Sequence, residues 1–168
     1  MPVGASGAAK PLIQTTYSEF NADLSPNGRW IAYTSNESGQ QQVYVRPFPD
    51  VDNGRWQIST SGGDQAAWSC TGRDLYFIDA RGMLMSAPVR TDEASFSGGT
   101  PTQVLRERVD RISASSGSLG GRTCDVSPDG RRFLIITDAA RAEGKHRAVE
   151  LMVILNFDEE LKRLVPAR

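Results

Sequence analysis

Three segments of this chain share one pattern: a short apolar run, then Ser-x-x-Gly, then a second apolar run. They are DLSPNGRWIAYTS at 23–35, AWSCTGRDLYFID at 67–79 and DVSPDGRRFLIIT at 125–137. The serines of successive copies are 44 and 58 residues apart. Self-similarity at such a spacing indicates a repeat architecture, in which each copy is one supersecondary unit that stacks on its neighbours. We therefore expect three similar units.

The Ser-x-x-Gly segment predicts a β-hairpin turn in each copy. Asn27-Gly28 and Asp129-Gly130 lie between apolar runs, which is a strong short-range hairpin signal. Glycine readily adopts the positive φ that such a turn requires. Gly28, Gly72 and Gly130 are therefore predicted to occupy equivalent turn positions.

The strands after these turns are apolar on both faces. Near-continuous apolar runs stand at 30–33, 75–78 and 133–136. Strands of this kind are buried on both faces, which requires a further sheet on each side. A third apolar strand follows at 42–48, 84–89 and 151–157, and weaker fourth strands are predicted at 56–59, 103–105 and 161–165.

Four strands per unit, joined by glycine-rich crossings, predict an all-β, β-propeller-like fold. We expect about three four-stranded antiparallel blades, at 17–60, 61–107 and 118–165, that form a partial propeller over 12–168 after a flexible leader at 1–11. Residues 12–16 are a candidate extra strand, and 92–100 is predicted as a polar turn region. The alternative is a β-sandwich whose turns coincide by chance.

The repeat also predicts which side chains are buried between blades. They are Leu24, Ile31, Tyr33, Trp68, Tyr76, Ile78, Val126, Leu134 and Ile136.

Composition excludes two classes of partner. The net charge is −1 with a pI near 5.9, so nothing predicts the basic face of a nucleic-acid-binding protein. No stretch approaches the roughly 20 apolar residues of a membrane span, so we expect no membrane insertion by this segment. Cys70 and Cys124 are the only cysteines. We favour free thiols, with a disulfide left open.

The sequence lacks the residues that a hydrolase usually needs for catalysis. A serine triad needs a positioned imidazole, and the one histidine, His146, stands in a polar segment. Residues 116–120, SGSLG, resemble a nucleophile elbow, but they lack its first glycine and its strand-to-helix setting. No kinase signature is present. We therefore expect no catalytic residue and a chain that is not an enzyme.

Metal and cofactor sites are not predicted either. There is no Cys/His cluster with zinc spacing and no glycine-rich phosphate loop. Asp23 and Asp125 align two residues before their serines, where the middle copy has Ala67. These carboxylates either face a central channel and bind a cation or accept hydrogen bonds from neighbouring backbone, and we favour the second.

Surface recognition is the remaining class. Trp30 aligns with the polar residues Asp74 and Arg132, which suggests that it is more exposed than its neighbours. Exposed aromatic and arginine side chains are typical binding hot spots. Trp30, Tyr44 and Arg46 are therefore a candidate interaction surface, with core packing as the alternative. The insertion at 108–121 is either a binding loop or a plain connection.

The runs LSPNGRWIAYTSNESGQQQVYVRPFP, GRWQISTSGGDQAAWS and DVSPDGRRFLIIT resemble the TolB-type, WD-like β-propeller repeat over about residues 12–160. More narrowly, they are similar to the C-terminal propeller of bacterial membrane-anchored serine/threonine protein kinases. The resemblance implies a non-catalytic sensory or interaction module at the C-terminal part of a larger bacterial protein, extracytoplasmic if that protein is such a kinase. Cys70 in place of the turn proline and the insertion at 108–121 depart from the pattern.

Two functions remain in competition. The first is a module that binds a protein or peptide, or that self-associates, because three blades do not close a ring of ordinary width. The second is the gating propeller of a prolyl-oligopeptidase-like hydrolase whose catalytic domain is absent from this sequence. An adjoining kinase or hydrolase domain would distinguish them.

Overall fold

The computed structural model describes residues 10–92, 95–109, 124–128, 132–138 and 149–154. A short 3-10 helix spans Val51–Asn53, and the other regular elements of these residues are strands. They are β1 (Glu19–Leu24), β2 (Trp30–Ser35), β3 (Gln42–Pro47), β4 (Trp56–Gln57), β5 (Asp64–Trp68), β6 (Asp74–Ile78), β7 (Met83–Thr91), β8 (Phe96–Gly98), β9 (Thr102–Arg108), β10 (Cys124–Val126), β11 (Phe133–Asp138) and β12 (Val149–Ile154).

The strands form three antiparallel sheets, so the predicted all-β class is confirmed. The first sheet has the order β1-β2-β3-β4, and the third has the order β10-β11-β12. The second sheet has five strands, in the order β5-β6-β7-β8, with β9 also paired to β7. No helix in the described ranges is long and apolar enough to cross a membrane.

The expectation of four strands per unit is wrong for the second sheet. Strand β7 is nine residues long, and one of its edges pairs with β9 near Met83–Ser86 and with β8 at Val89–Thr91. A strand of this length has room for two partners end to end along one edge. The predicted fourth strand of the third unit, 161–165, lies outside the described residues. Residues 12–16 form bends and not a strand.

The repeated turns are built alike. Gly28 and Gly72 have φ of +68° and +67°, and their amides donate to the carbonyls of Ser25 and Ser69 at 2.8 and 2.9 Å. The equivalent position of these two glycines is confirmed, whereas Gly130 lies outside the described residues. In all three copies the serine hydroxyl also accepts a backbone N–H five residues later. The donors are Trp30, Asp74 and Arg132, each at 3.0 Å.

The sheets pack face to face in chain order, and strand alternation decides which side chain meets which sheet. In β2, Trp30 and Ala32 lie in a core cluster shared with the second sheet. In β6, Leu75 and Phe77 belong to that cluster, whereas Tyr76 and Ile78 belong to a second cluster shared with the third sheet. Phe133 and Ile135 of β11 complete the second cluster. The central strand β6 therefore has one face for the first sheet and one for the third.

Two predicted core residues are exposed. Leu134 is 42% exposed because it alternates with Phe133 and Ile135 and so lies on the face turned away from the second sheet. Leu24 is 47% exposed because it ends β1 and lines an open cleft. Other members of the predicted set, namely Ile31, Tyr33, Trp68, Tyr76 and Ile78, are buried; Val126 is half-buried, and the Ile136 side chain lies outside the described part.

The polar turn region predicted at 92–100 contains a strand and a core residue. Phe96 of β8 is buried, and its ring centroid lies 5.3 Å from that of Trp30 and 5.4 Å from that of Trp56. A single aromatic residue in a polar segment is a weak strand signal. The aromatic cluster that buries it comes from both the first and the second sheet.

Candidate functional site

The ends of the inner strands β1, β5 and β10 meet at a cleft of about 250 Å³. It is lined by corresponding residues of the three repeats: Asp23, Leu24 and Pro26, then Ala67, Trp68, Ser69 and Cys70, then Asp125, Val126, Ser127 and Pro128. The repeated motif therefore places its serine turns side by side at one end of the three sheets. We call this space the turn cleft.

The Asp23 carboxylate joins two sheets at the turn cleft. Its Oδ2 accepts the backbone N–H of Trp68 at 2.9 Å, and its carbonyl accepts the Trp68 indole N–H at 3.2 Å. The favoured backbone hydrogen-bonding role is thus confirmed for Asp23. Asp125 accepts the adjacent Val126 N–H at 2.9 Å. Over the residues that the structure describes, no three His, Cys, Asp or Glu side chains are grouped to hold a metal ion.

A buried carboxylate that the sequence interpretation missed also joins the first two sheets. Asp64 Oδ1 accepts the Asn21 side-chain amide at 2.9 Å and the Thr34 hydroxyl at 3.1 Å. Asn21 and Gln65 interrupt β1 and β5 at register shifts with φ of 52° and 58°. Both stand four residues before their serine. This shared spacing was the sequence signal for the two register shifts, but neither asparagine nor glutamine is a residue type that indicates a β-bulge.

A second cavity, of about 440 Å³, lies on the first sheet. It is lined by Tyr17, Glu37, Ser38, Tyr44, Arg55 and Gln57, and we call it the tyrosine pocket. Arg55 forms an ion pair with Glu37, and its guanidinium carbon lies 5.4 Å from the Tyr44 ring centroid. The Oε1 atom of Glu37 is buried and has no hydrogen-bond partner.

The candidate surface of Trp30, Tyr44 and Arg46 is not one exposed patch. Trp30 is only 3% exposed because its strand position faces the second sheet, so the expectation of an exposed tryptophan is wrong. Tyr44 is buried beside Tyr33, with ring centroids 5.9 Å apart, and lines the tyrosine pocket. Arg46 Nε donates to the Tyr33 hydroxyl at 2.8 Å. The structure thus separates Trp30 from the other two.

Among the residues that the structure describes, burial shifts the pKa of three titratable groups. It raises the pKa of Tyr76 to about 12, with a smaller contribution from the Asp74 charge. Burial also raises the pKa of Tyr33, which the hydrogen bond from Arg46 partly opposes. The pKa of Asp74 is raised by burial and partly lowered by its hydrogen bond from Ser86. Each shift therefore has a structural cause in the packing of β2 or β6.

The structure describes both cysteines but not the other candidate reactive residues. Cys70 is exposed and Cys124 is buried, and no disulfide joins them. His146, residues 116–120 and most of the insertion at 108–121 lie outside the described residues.

The chain was compared with known proteins. No family model and no curated protein matches the sequence. Among solved structures, the chain is similar to a protein from Bacteroides uniformis assigned as a 6-phosphogluconolactonase, with 17% identity and a TM-score of 0.43. The match covers 76% of this chain and 38% of the other, so this chain spans well under half of that protein's length.

This match corrects one expectation. From the sequence we expected a chain that is not an enzyme, because the residues of a serine triad and the kinase signatures are missing and the resemblance implies a non-catalytic module. The matched protein is assigned as an enzyme, which contradicts that expectation.

Proposed function

We propose that this chain is a sensory or protein-interaction module of the β-propeller type, related to the TolB-like repeat, and that another β-sheet stacks on the outer face of its third sheet. The proposal rests on one observation. Leu134 is 42% exposed at the strand position whose counterparts in the two preceding sheets, Ala32 and Tyr76, are buried against the next sheet.

The outer face of the third sheet is apolar in sequence. The register places Leu134 opposite Val153, and Ile136 opposite Leu151. An apolar sheet face of this kind gains free energy when another surface removes it from water. Both preceding sheets use such a face to bind the sheet that follows them.

The partner that we propose is a second copy of this chain. In a head-to-tail contact, the third sheet of one copy would pack on the first sheet of the next. The face of the first sheet that would receive it carries Ile31 and Tyr33, which are already buried, with only 8% and 2% of their surface exposed. A head-to-tail contact therefore has no open receiving face. Two third sheets placed face to face about a two-fold axis give a closed, self-complementary contact.

Sedimentation velocity over a range of protein concentrations tests this proposal. The unmodified chain should form dimers, and Leu134→Asp should be monomeric because a charge cannot be buried in an apolar contact without a partner. Far-UV circular dichroism should be the same for both proteins. A stable contact of this kind should bury at least about 1,000 Å² in total.

Leu24→Asp is the matched control. Among the described strand residues, Leu24 is the other strongly exposed leucine, at 47%, but it lies in the turn cleft. It should leave dimerisation unchanged. If the unmodified chain is monomeric at about 100 µM, or if Leu24→Asp disrupts the dimer as strongly as Leu134→Asp, the proposed contact is wrong.

A further inference from the structure

The tyrosine pocket has features of a binding site that do not depend on the third sheet. Its two charged side chains neutralise each other, because Arg55 pairs with Glu37. Arg55 is also held over the Tyr44 ring at 5.4 Å. A cavity of about 440 Å³ falls in the size range of small-ligand sites, which combine apolar surface with a few polar groups.

One polar atom at this pocket is unsatisfied. Glu37 Oε2 is paired with Arg55, but Oε1 is buried without a hydrogen-bond partner. A buried acceptor without a donor is unfavourable, so a ligand that supplies the donor gains affinity at this atom. A small outward movement of the half-exposed Arg55 side chain would let a ligand hydroxyl or N–H reach this carboxylate. The ligand must therefore carry hydrogen-bond donors.

The aromatic residues define the rest of the ligand. Tyr17 is 50% exposed at the pocket, and the buried Tyr44 of the first sheet also lines it. A tyrosine ring offers an apolar face and a polar hydroxyl at its edge. The Gln57 amide donates to the Ser59 carbonyl at 2.8 Å, which leaves its side-chain oxygen as an acceptor.

We infer that the tyrosine pocket binds a neutral sugar ring. Such a ring offers C–H groups to the face of Tyr17 and hydroxyls that donate to Glu37 and Gln57. Arg55 and Glu37 cancel each other's charge, so a charged ligand would lose its hydration without a net electrostatic attraction from the pair. The internal ion pair therefore selects a neutral ligand over a charged one.

Saturation-transfer NMR with glucose, galactose, N-acetylglucosamine and their disaccharides tests the inference. At least one of these sugars should bind with a Kd in the millimolar range, about 1–10 mM. Tyr17→Ala should weaken binding by about tenfold through the loss of the aromatic face, whereas Tyr17→Phe should retain it. Glu37→Gln should also weaken binding, because the better acceptor is lost. A phosphorylated form of the bound sugar should bind no more tightly than the neutral form.

Leu24→Ala serves as the control, because it removes exposed apolar surface in the turn cleft and leaves the tyrosine pocket intact. It should not change sugar binding. The inference is overturned if none of these sugars binds at about 100 mM. It is equally overturned if Tyr17→Ala leaves the affinity unchanged, or if the phosphorylated sugar is strongly preferred, which would indicate an anion site. Dimerisation is measured separately, so this result is independent of the proposed third-sheet contact.

Discussion

At the scale of single residues, the repeated turn combines a glycine with a serine. The serine hydroxyl accepts the N–H of the first residue after the turn, and the glycine supplies the positive φ that closes it. The serine bond is present in all three copies at 3.0 Å. These two residues therefore explain why the motif keeps Ser-x-x-Gly while its intervening residues vary.

Gly28→Val should destabilise the chain by about 1–3 kcal/mol because a β-branched residue resists positive φ. A Cβ at Gly28 would meet no atom within 4 Å, so the cost is conformational and not steric. Gly28→Asn should cost less, because asparagine tolerates the left-handed region. Denaturant unfolding measures both variants. Equal losses for valine and asparagine would contradict this account.

Tyr76 should make the fold sensitive to alkaline pH. Burial raises its pKa from 10.0 to about 12 in the folded state, so its contribution to stability is complete below pH 10 and is lost as the pH rises towards 12. Thermal unfolding from pH 8 to pH 12 should show a smaller decrease in Tm for Tyr76→Phe. Tyr17→Phe, at an exposed tyrosine, should behave as the unmodified chain does. Identical slopes for all three proteins would show that Tyr76 ionisation does not limit stability.

At the scale of elements, the central strand β6 is apolar almost throughout because it contributes to sheet packing on both sides. Leu75 and Phe77 face the first sheet, and Tyr76 and Ile78 face the third. β11 has the same pattern, but only its face towards the second sheet is covered at the described positions. The alternation of side chains along a strand therefore decides which of two equally apolar neighbours is buried and which is exposed.

Leu75→Ala and Leu134→Ala form a matched pair that tests this distinction. Leu75 is fully buried, so its truncation should cost about 2–5 kcal/mol of unfolding free energy. Leu134 is 42% exposed, so its truncation should cost less than about 1 kcal/mol in the monomer. Denaturant titration at a concentration where the chain is monomeric gives both values. A loss at Leu134 as large as that at Leu75 would place it in the core.

At the scale of the molecule, the sheets form a series in which each core cluster joins only neighbours. All three tryptophans, Trp30, Trp56 and Trp68, belong to or pack against the cluster between the first and second sheets. Phe133 and Ile135 belong to the cluster between the second and third. Arrays of this kind gain stability from each unit and each interface separately.

Phe133→Ala should therefore separate two unfolding transitions. Its truncation should cost about 3–5 kcal/mol at the second cluster. The third sheet should then unfold at a lower denaturant concentration, seen by far-UV circular dichroism. Tryptophan fluorescence should report the first two sheets unfolding later. Coincident transitions by both probes would mean that the three sheets unfold as one cooperative unit.

The sequence alone determined the all-β class, the glycine positions of the first two repeated turns and most central strands, because glycine φ preference and apolar runs are local properties. It did not determine the burial of Trp30 and Phe96 or the exposure of Leu134, because these depend on which sheet covers each face. Nor did it group Tyr17, Glu37, Tyr44 and Arg55 into one pocket. These residues are distant along the chain, and only the tertiary packing of the first sheet brings them together.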